Sequence, residues 1–432
     1  MKQTTFSILL FLLLFTQGYR AKAQQNERDN ISAIFSEIET LTKKNVNFWN
    51  KNLYGAILLI DPESMQIYAN EPDSAGILKP DGKIYSGILP DNVNFGNTAM
   101  FWSGKTWATL MLPLPENKFE RNDLFAHESF HRVQPSLGFI SNIPENNHLD
   151  DKNARIYLRL ELEALKKAIQ ASSKKEIHQH LTDAMTFRKY RNFLYPNSNE
   201  TENKLEIMEG LAEFTGLIFS GRDKKQTTEH LVNRINQSFA SPTLVRSFAY
   251  YTTSVYGYLL YEENRNWNKD ISSTTDLADY FIKAFNINVP TDLKIAVEIL
   301  SGNYNGKTIV QEETAREEEK ERKIAEYKQK FIGLPHFELM FEKMSIQFDP
   351  RNIMPLENLG MYFPNIRITD SWGILTVENG ALIDANWVKI SITNPTKTED
   401  KIIIGEGWTL ELSDDYIIEK DETSGNSKLI KK

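Results

Sequence analysis

The sequence predicts an α+β chain: a β-rich N-terminal portion, a mainly helical central part and a small all-β C-terminal domain. Three changes of hydrophobic period predict it. Residues 54–112 break into short β-like runs between turn residues, residues from Asn122 to about Leu300 carry mainly helical spacing, and alternation returns after Pro335.

In chain order, residues 1–23 read as a signal peptide. Met1-Lys2 supplies a positive start, Phe6 to Phe15 is an almost unbroken apolar run, and Ala21-Lys22-Ala23 is a small-x-small cleavage site. The run is too short for a membrane anchor, so an exported, periplasmic or extracellular chain without a transmembrane segment is expected. Residues 24–53 form an N-terminal helix, with Ile31, Ile34, Phe35, Ile38 and Leu41 at helical spacing. Residues 54–116 are a β-rich subdomain with runs Ala56–Ile60, Gln66–Ala69, Thr98–Trp102 and Thr106–Leu112, the last two a hairpin around Ser103-Gly104-Lys105. Residues 117–305 are the helical domain, its segments including 123–134, 153–170, 176–192, 203–219, 226–239 and 252–264. Residues 306–335, with the acidic run Glu312 to Glu319, read as a solvated, salt-bridged helix or linker. Residues 336–432 are a β-rich C-terminal domain with strands expected at Ile366–Thr369, Ile374–Val377, Ala381–Ile392, Ile402–Ile404 and Trp408–Leu412.

The net charge of −8 with dispersed basic residues points away from nucleic acid and anionic membranes. Cysteine is absent, which excludes disulfides, a lipid-modified cysteine and any thiolate metal ligand.

Chemistry concentrates in His127-Glu128-Ser129-Phe130-His131. Asn122 or Asp123 is a suitable N-cap and Pro135 ends the helix after Gln134. Within it, His127 and His131 stand one turn apart on one face, so both imidazoles can bind one Zn²⁺. Glu128 leans toward the open metal position, where it can take a proton from an attacking water and hand it to a leaving amine. With this chain's composition the pattern arises by chance about 0.01 times, so an accidental pair of helix histidines is the weaker reading.

A catalytic zinc takes three protein ligands. No third histidine follows His131 in metzincin register, and His148, the next one, lies in a stretch that reads as a loop or N-cap. Glu161 and Glu163, between the motif and residue 209, leave Glu161 as a further choice.

Met208-Glu209-Gly210-Leu211-Ala212-Glu213-Phe214 resembles the third-ligand helix of gluzincins, zinc peptidases with a His-His-Glu site, and is most similar to the aminopeptidase-like branch. The resemblance covers residues 95–265. It implies a gluzincin-like zinc domain over 117–305, with Glu209 as third ligand and Glu213, one turn on, accepting the Nδ1–H of a ligand histidine. The 77 residues between His131 and Glu209 exceed the branch's usual spacing, so Glu161 and His148 stay open.

Ala249-Tyr250-Tyr251-Thr252-Thr253-Ser254-Val255-Tyr256-Gly257 is loosely similar to the segment whose tyrosine binds the oxyanion, which implies that role for Tyr251, with Tyr250 and Tyr256 behind it. By the same likeness, Thr98–Trp102 or Thr106–Leu112 would pair with the substrate backbone. The branch's motif for a free N-terminus is absent, and Asn97-Thr98-Ala99-Met100-Phe101 does not replace it. The expectation is a secreted peptidase with one zinc per chain, acting on a peptide or protein substrate. A zinc-stabilised binding protein without turnover and a zinc hydrolase of a non-peptide bond are the alternatives.

Overall fold

The computed structural model describes residues 28–90, 93–139, 145–348 and 353–432. The expected signal peptide lies outside them. The protein is α+β and divides into two compact units, one up to Ile309 and one from Val310. No helix among the described residues is long and apolar enough to cross a membrane.

The first unit opens with helix α1 over residues 28–44, then a six-stranded sheet. Its strands are β1 (Ile57–Ile60), β2 (Gln66–Ala69), β3 (Lys79–Asp81), β4 (Ile84–Ile88), β5 (Thr98–Trp102) and β6 (Lys105–Met111), in spatial order β3-β4-β2-β1-β6-β5. Strand β1 pairs parallel with β6, Ile57 opposite Ala108, and antiparallel with β2. All four of its residues are buried, as a continuous apolar run requires when both sheet faces are covered. One face packs Ile57, Leu59 and Leu110 against Ile31, Phe35 and Ile38 of α1 and Phe125; the other gathers Leu58, Ile60, Ile67, Trp102 and Trp107. β3 and β4 escaped the pattern reading, since Pro80, Ser86 and Gly87 interrupt any apolar alternation.

The helical part follows: α2 (Lys118–Val133), α3 (Lys152–Gln170), α4 (Lys174–Leu194), α5 (Ser198–Leu205), a π-turn over Glu206–Gly210, α6 (Leu211–Phe219), α7 (Lys224–Ser238), α8 (Phe248–Glu263), α9 (Leu277–Ala284) and α10 (Leu293–Ser301). Two expectations are corrected. The cap of α2 is Asn117, whose side chain accepts from the amides of Phe119 (2.8 Å) and Glu120 (3.3 Å), whereas Asn122 and Asp123 are buried inside the helix. The single segment expected over 203–219 is broken by the π-turn. The core holds Trp49, Phe130, Leu160, Leu211, Phe214, Tyr256 and Trp267, each large buried side chain contributing about 1.5–3 kcal/mol. Helices α2 and α6 approach closely at Gly216, where a Cβ would lie 2.2 Å from Oδ1 of Asp123.

Among the described residues, the second unit contains most of α11 (Gly306–Lys328), a π-turn at Gln329–Gly333, and thirteen strands in a seven-stranded and a six-stranded sheet. Strand Ile366–Asp370 alternates buried and exposed residues, turning Ile366 and Ile368 into a core with Phe337, Trp372, Leu375 and Trp408. The run expected over Ala381–Ile392 is two strands, Ala381–Asp384 and Lys389–Thr393. The Asp384 carboxylate accepts from the amides of Asn386, Val388 and Lys389 and so closes a turn between them.

Candidate metal centre

One face of α2, the π-turn and the first turn of α8 meet in a cleft of about 400 Å³ lined also by Asn97, Thr98 and Ala99. His127 and His131 project into it from successive turns, their Nε2 atoms 3.0 Å apart. Glu209, from the π-turn, brings Oε2 within 3.6 Å of His127 Nε2 and 3.4 Å of His131 Nε2. These three residues could hold a metal ion.

The outer nitrogens explain why the inner ones converge. His127 Nδ1 lies 3.3 Å from Glu213 Oε2, and His131 Nδ1 lies 2.7 Å from Gln134 Oε1. Both partners accept, so in the neutral rings both protons sit on Nδ1 and both Nε2 lone pairs face inward. Two lone pairs at 3.0 Å repel unless a proton or a cation sits between them. In the metal-free protein the proton answers this need. Burial opposes a charge on His127, but Glu209 and Glu213 outweigh it and lift the imidazole to about 10. Burial likewise opposes ionisation of Glu209, yet hydrogen bonds from His127, His131 and Tyr250 hold its carboxyl well below the usual range. A site that traps a proton among three donors is suited to a cation.

Glu128 is buried beside the histidines, and burial pushes its carboxyl upward. Its Oε2 has no hydrogen-bond partner among the described residues. Glu213 is steadied from behind by Arg234 of α7, 2.9 Å from Oε1.

The tyrosine at this cluster is Tyr250, not Tyr251. Its hydroxyl donates to Glu209 Oε2 at 2.6 Å and its ring stacks on His127. Neighbours on a helix point about 100° apart, and Tyr251 lies beneath the Arg234 guanidinium, 5.8 Å from the ring centroid. Tyr256 instead donates to Glu161 at 3.1 Å. Glu161 and His148 are likewise engaged elsewhere. Glu161 accepts from Arg188 (2.7 Å) and Arg191 (2.8 Å), while His148 pairs with Glu202 at 2.8 Å, and Glu202 also binds Arg191. Arg188 in turn holds Glu206, the first residue of the π-turn, through both terminal nitrogens. Pattern reading missed this buried lattice; the pairs Arg188/Arg191 and Glu202/Glu206, at helical spacing, were its trace. Gln134, three residues after His131, was missed because its contacts to the π-turn join residues 73 and 74 positions apart.

Of the two strands considered for substrate pairing, β6 lies between β1 and β5, while β5 is the sheet edge and lines the cleft. A second group, Glu120, Asp123 and His230, also clusters. There Arg222 already bonds both carboxylates. Burial and that guanidinium push His230 down to about 4, so a resident cation takes the metal's place.

No family model, no curated protein and no solved structure matches the chain. What stands is an α+β protein with a His-His-Glu group, His127 buried and His131 and Glu209 partly so, lining an open cleft.

Proposed function

We propose that the protein is an exported, gluzincin-like zinc metallopeptidase, with His127, His131 and Glu209 as ligands and Glu128 as general base. One observation carries the reading: in an open cleft the three donors converge beside the buried Glu128, whose Oε2 has no hydrogen-bond partner among the described residues. Ligand atoms about 2.1 Å from a tetrahedral zinc lie about 3.4 Å apart, and the separations here are 3.0, 3.4 and 3.6 Å. Nitrogen and carboxylate donors without thiolate suit zinc in a catalytic role.

Held by His127, His131 and Glu209, a zinc ion would lower the pKa of a water and polarise a carbonyl. Glu128 takes a proton from water in the cleft and returns it to the leaving amine. Tyr250 supplies the O–H donor placed to steady an oxyanion. Glu213 and Gln134 keep the histidine lone pairs directed inward. The exposed edge of β5 offers backbone groups to an extended peptide.

The test is elemental analysis of purified protein joined to peptide-library profiling. About one zinc per chain and peptide cleavage are expected. Glu128→Gln should lower kcat by about 10²–10⁴-fold with zinc content unchanged. A protein that takes up no transition metal even on reconstitution overturns the reading, and zinc uptake with cleavage only of non-peptide bonds replaces the substrate.

A further inference from the structure

Gln134 is 1 % exposed and touches two things at once. Its Oε1 faces His131 Nδ1 at 2.7 Å, and its Nε2 donates to the backbone carbonyls of Met208 at 2.8 Å and Ile207 at 3.3 Å. Those carbonyls belong to the π-turn that carries Glu209. A carbonyl only accepts, so the amide nitrogen of Gln134 must face the π-turn and its oxygen must face the imidazole. That oxygen also only accepts, so Nδ1 of the neutral His131 ring carries the proton and Nε2 keeps its lone pair. The peptide groups beside Glu209 thus dictate, through one side chain, which nitrogen of His131 is available to a cation.

The widened turn makes the arrangement possible. In it the Leu211 amide reaches back five residues to the Glu206 carbonyl. This departs from the four-residue ladder and leaves the carbonyls of Ile207 and Met208 within reach of a side-chain donor. Gln134 is the C-cap of α2, at the start of the turn Gln134–Leu137 that Pro135 enforces, so its backbone is fixed as well.

We propose that Gln134 is a positioning residue: it sets the His131 tautomer and ties the helix bearing the histidines to the π-turn bearing Glu209. The inference rests on the metal-site reading above for its purpose, but its main readout does not need the metal. The test follows the His131 ring by ¹⁵N NMR in metal-free protein carrying His127→Phe, at a pH where the ring is neutral. That substitution ensures that no proton on His127 Nε2 holds His131 Nε2 as its acceptor. Zinc affinity is followed by chelator competition without it. With Gln134 in place the ring is expected in the Nδ1–H form. Gln134→Met, which neither accepts strongly nor donates, should release His131 into a mixture dominated by the Nε2–H form and weaken zinc binding about 10–100-fold. Gln134→Glu keeps the acceptor and loses the donor, so it should retain the Nδ1–H form while zinc binding weakens.

An unchanged tautomer in Gln134→Met, or zinc affinity within twofold of wild type, overturns the proposal. If Gln134→Met does not fold, Gln134→Glu decides: a folded variant with His131 in the Nε2–H form overturns it, and the Nδ1–H form sustains it. A wild-type protein that binds no zinc but shows the tautomer switch would sink the peptidase reading and leave the Gln134 assignment standing.

Discussion

The hydroxyl of Tyr250 donates to Oε2 of Glu209 at 2.6 Å while its ring lies parallel to His127, with centroids 5.6 Å apart. One side chain therefore touches two of the three candidate ligands and looks into the cleft. Tyr250→Phe keeps the stacking and loses the O–H. It should lower kcat by about 10²–10³-fold with zinc content retained, whereas Tyr251→Phe should leave kcat near wild type. Steady-state kinetics with metal analysis on both variants checks this, and the reverse ranking would return the role to Tyr251.

Gly210 closes the π-turn against α8. A Cβ there would sit 2.3 Å from Oγ1 and 2.5 Å from Cβ of Thr253. Gly210→Ala should push the π-turn away from α8, weaken zinc binding and lower the melting temperature. Adding Thr253→Gly, which removes Oγ1 and Cβ alike, should recover most of the zinc affinity, while a glycine inside α8 keeps part of the loss in melting temperature. No recovery would mean that the glycine matters for a reason other than this contact.

Arg188 is fully buried and bonds Glu161 and Glu206. Removing the cation leaves the buried Glu206 carboxylate with only the Thr252 hydroxyl as a side-chain donor among the described residues, while Glu161 keeps Arg191. Arg188→Met is expected to cost about 3–5 kcal/mol in denaturant unfolding. An exposed pair such as Lys204–Glu200, broken by Lys204→Met, should leave the unfolding midpoint close to that of the wild type, because solvent screens it.

Glu202 gives the chain an acid limit. Burial works against its ionisation, but Arg191 and His148 outweigh it and hold its carboxyl well below the ordinary range. A depressed carboxylate contributes stability that is full above its unfolded value, about 4.3, and is lost as the pH falls below it toward the folded value. Melting temperature should therefore drop below about pH 4.3, and in Glu202→Gln, less stable at neutral pH, this slope should flatten. Equal slopes in both proteins would assign the acid limit to other groups.

The parts of the site that were legible in the sequence are local. His127, Glu128 and His131 share one helix, and the five-residue spacing alone fixes which of them share a face. Most central helices and the strands Ile57–Ile60, Gln66–Ala69 and Thr98–Trp102 were legible for a similar reason, since period reports burial over a few residues. The start of α2 was misread because Asn122 and Asp123 have cap chemistry. Tertiary packing uses it differently: Asn122 donates to the Ser220 carbonyl and Asp123 pairs with Arg222. The linear likeness that points to Tyr251 does not carry helix phase, and a one-residue shift turns the side chain by about 100°.

By itself, then, the sequence determined the α+β division and the pair of imidazoles with its adjacent acid. These depend on spacings shorter than two helical turns. Only the tertiary structure brought Glu209, and neither Glu161 nor His148, beside the two histidines, placed Tyr250 at that cluster, and revealed Gln134 and the Arg188–Arg191 lattice. The physical reason is that these contacts join residues tens of positions apart. Their meeting depends on the close approach of α2 and α6 at Gly216 and on the π-turn that swings Glu209 toward the histidines. No period or motif in a linear chain encodes the distance between two packed helices.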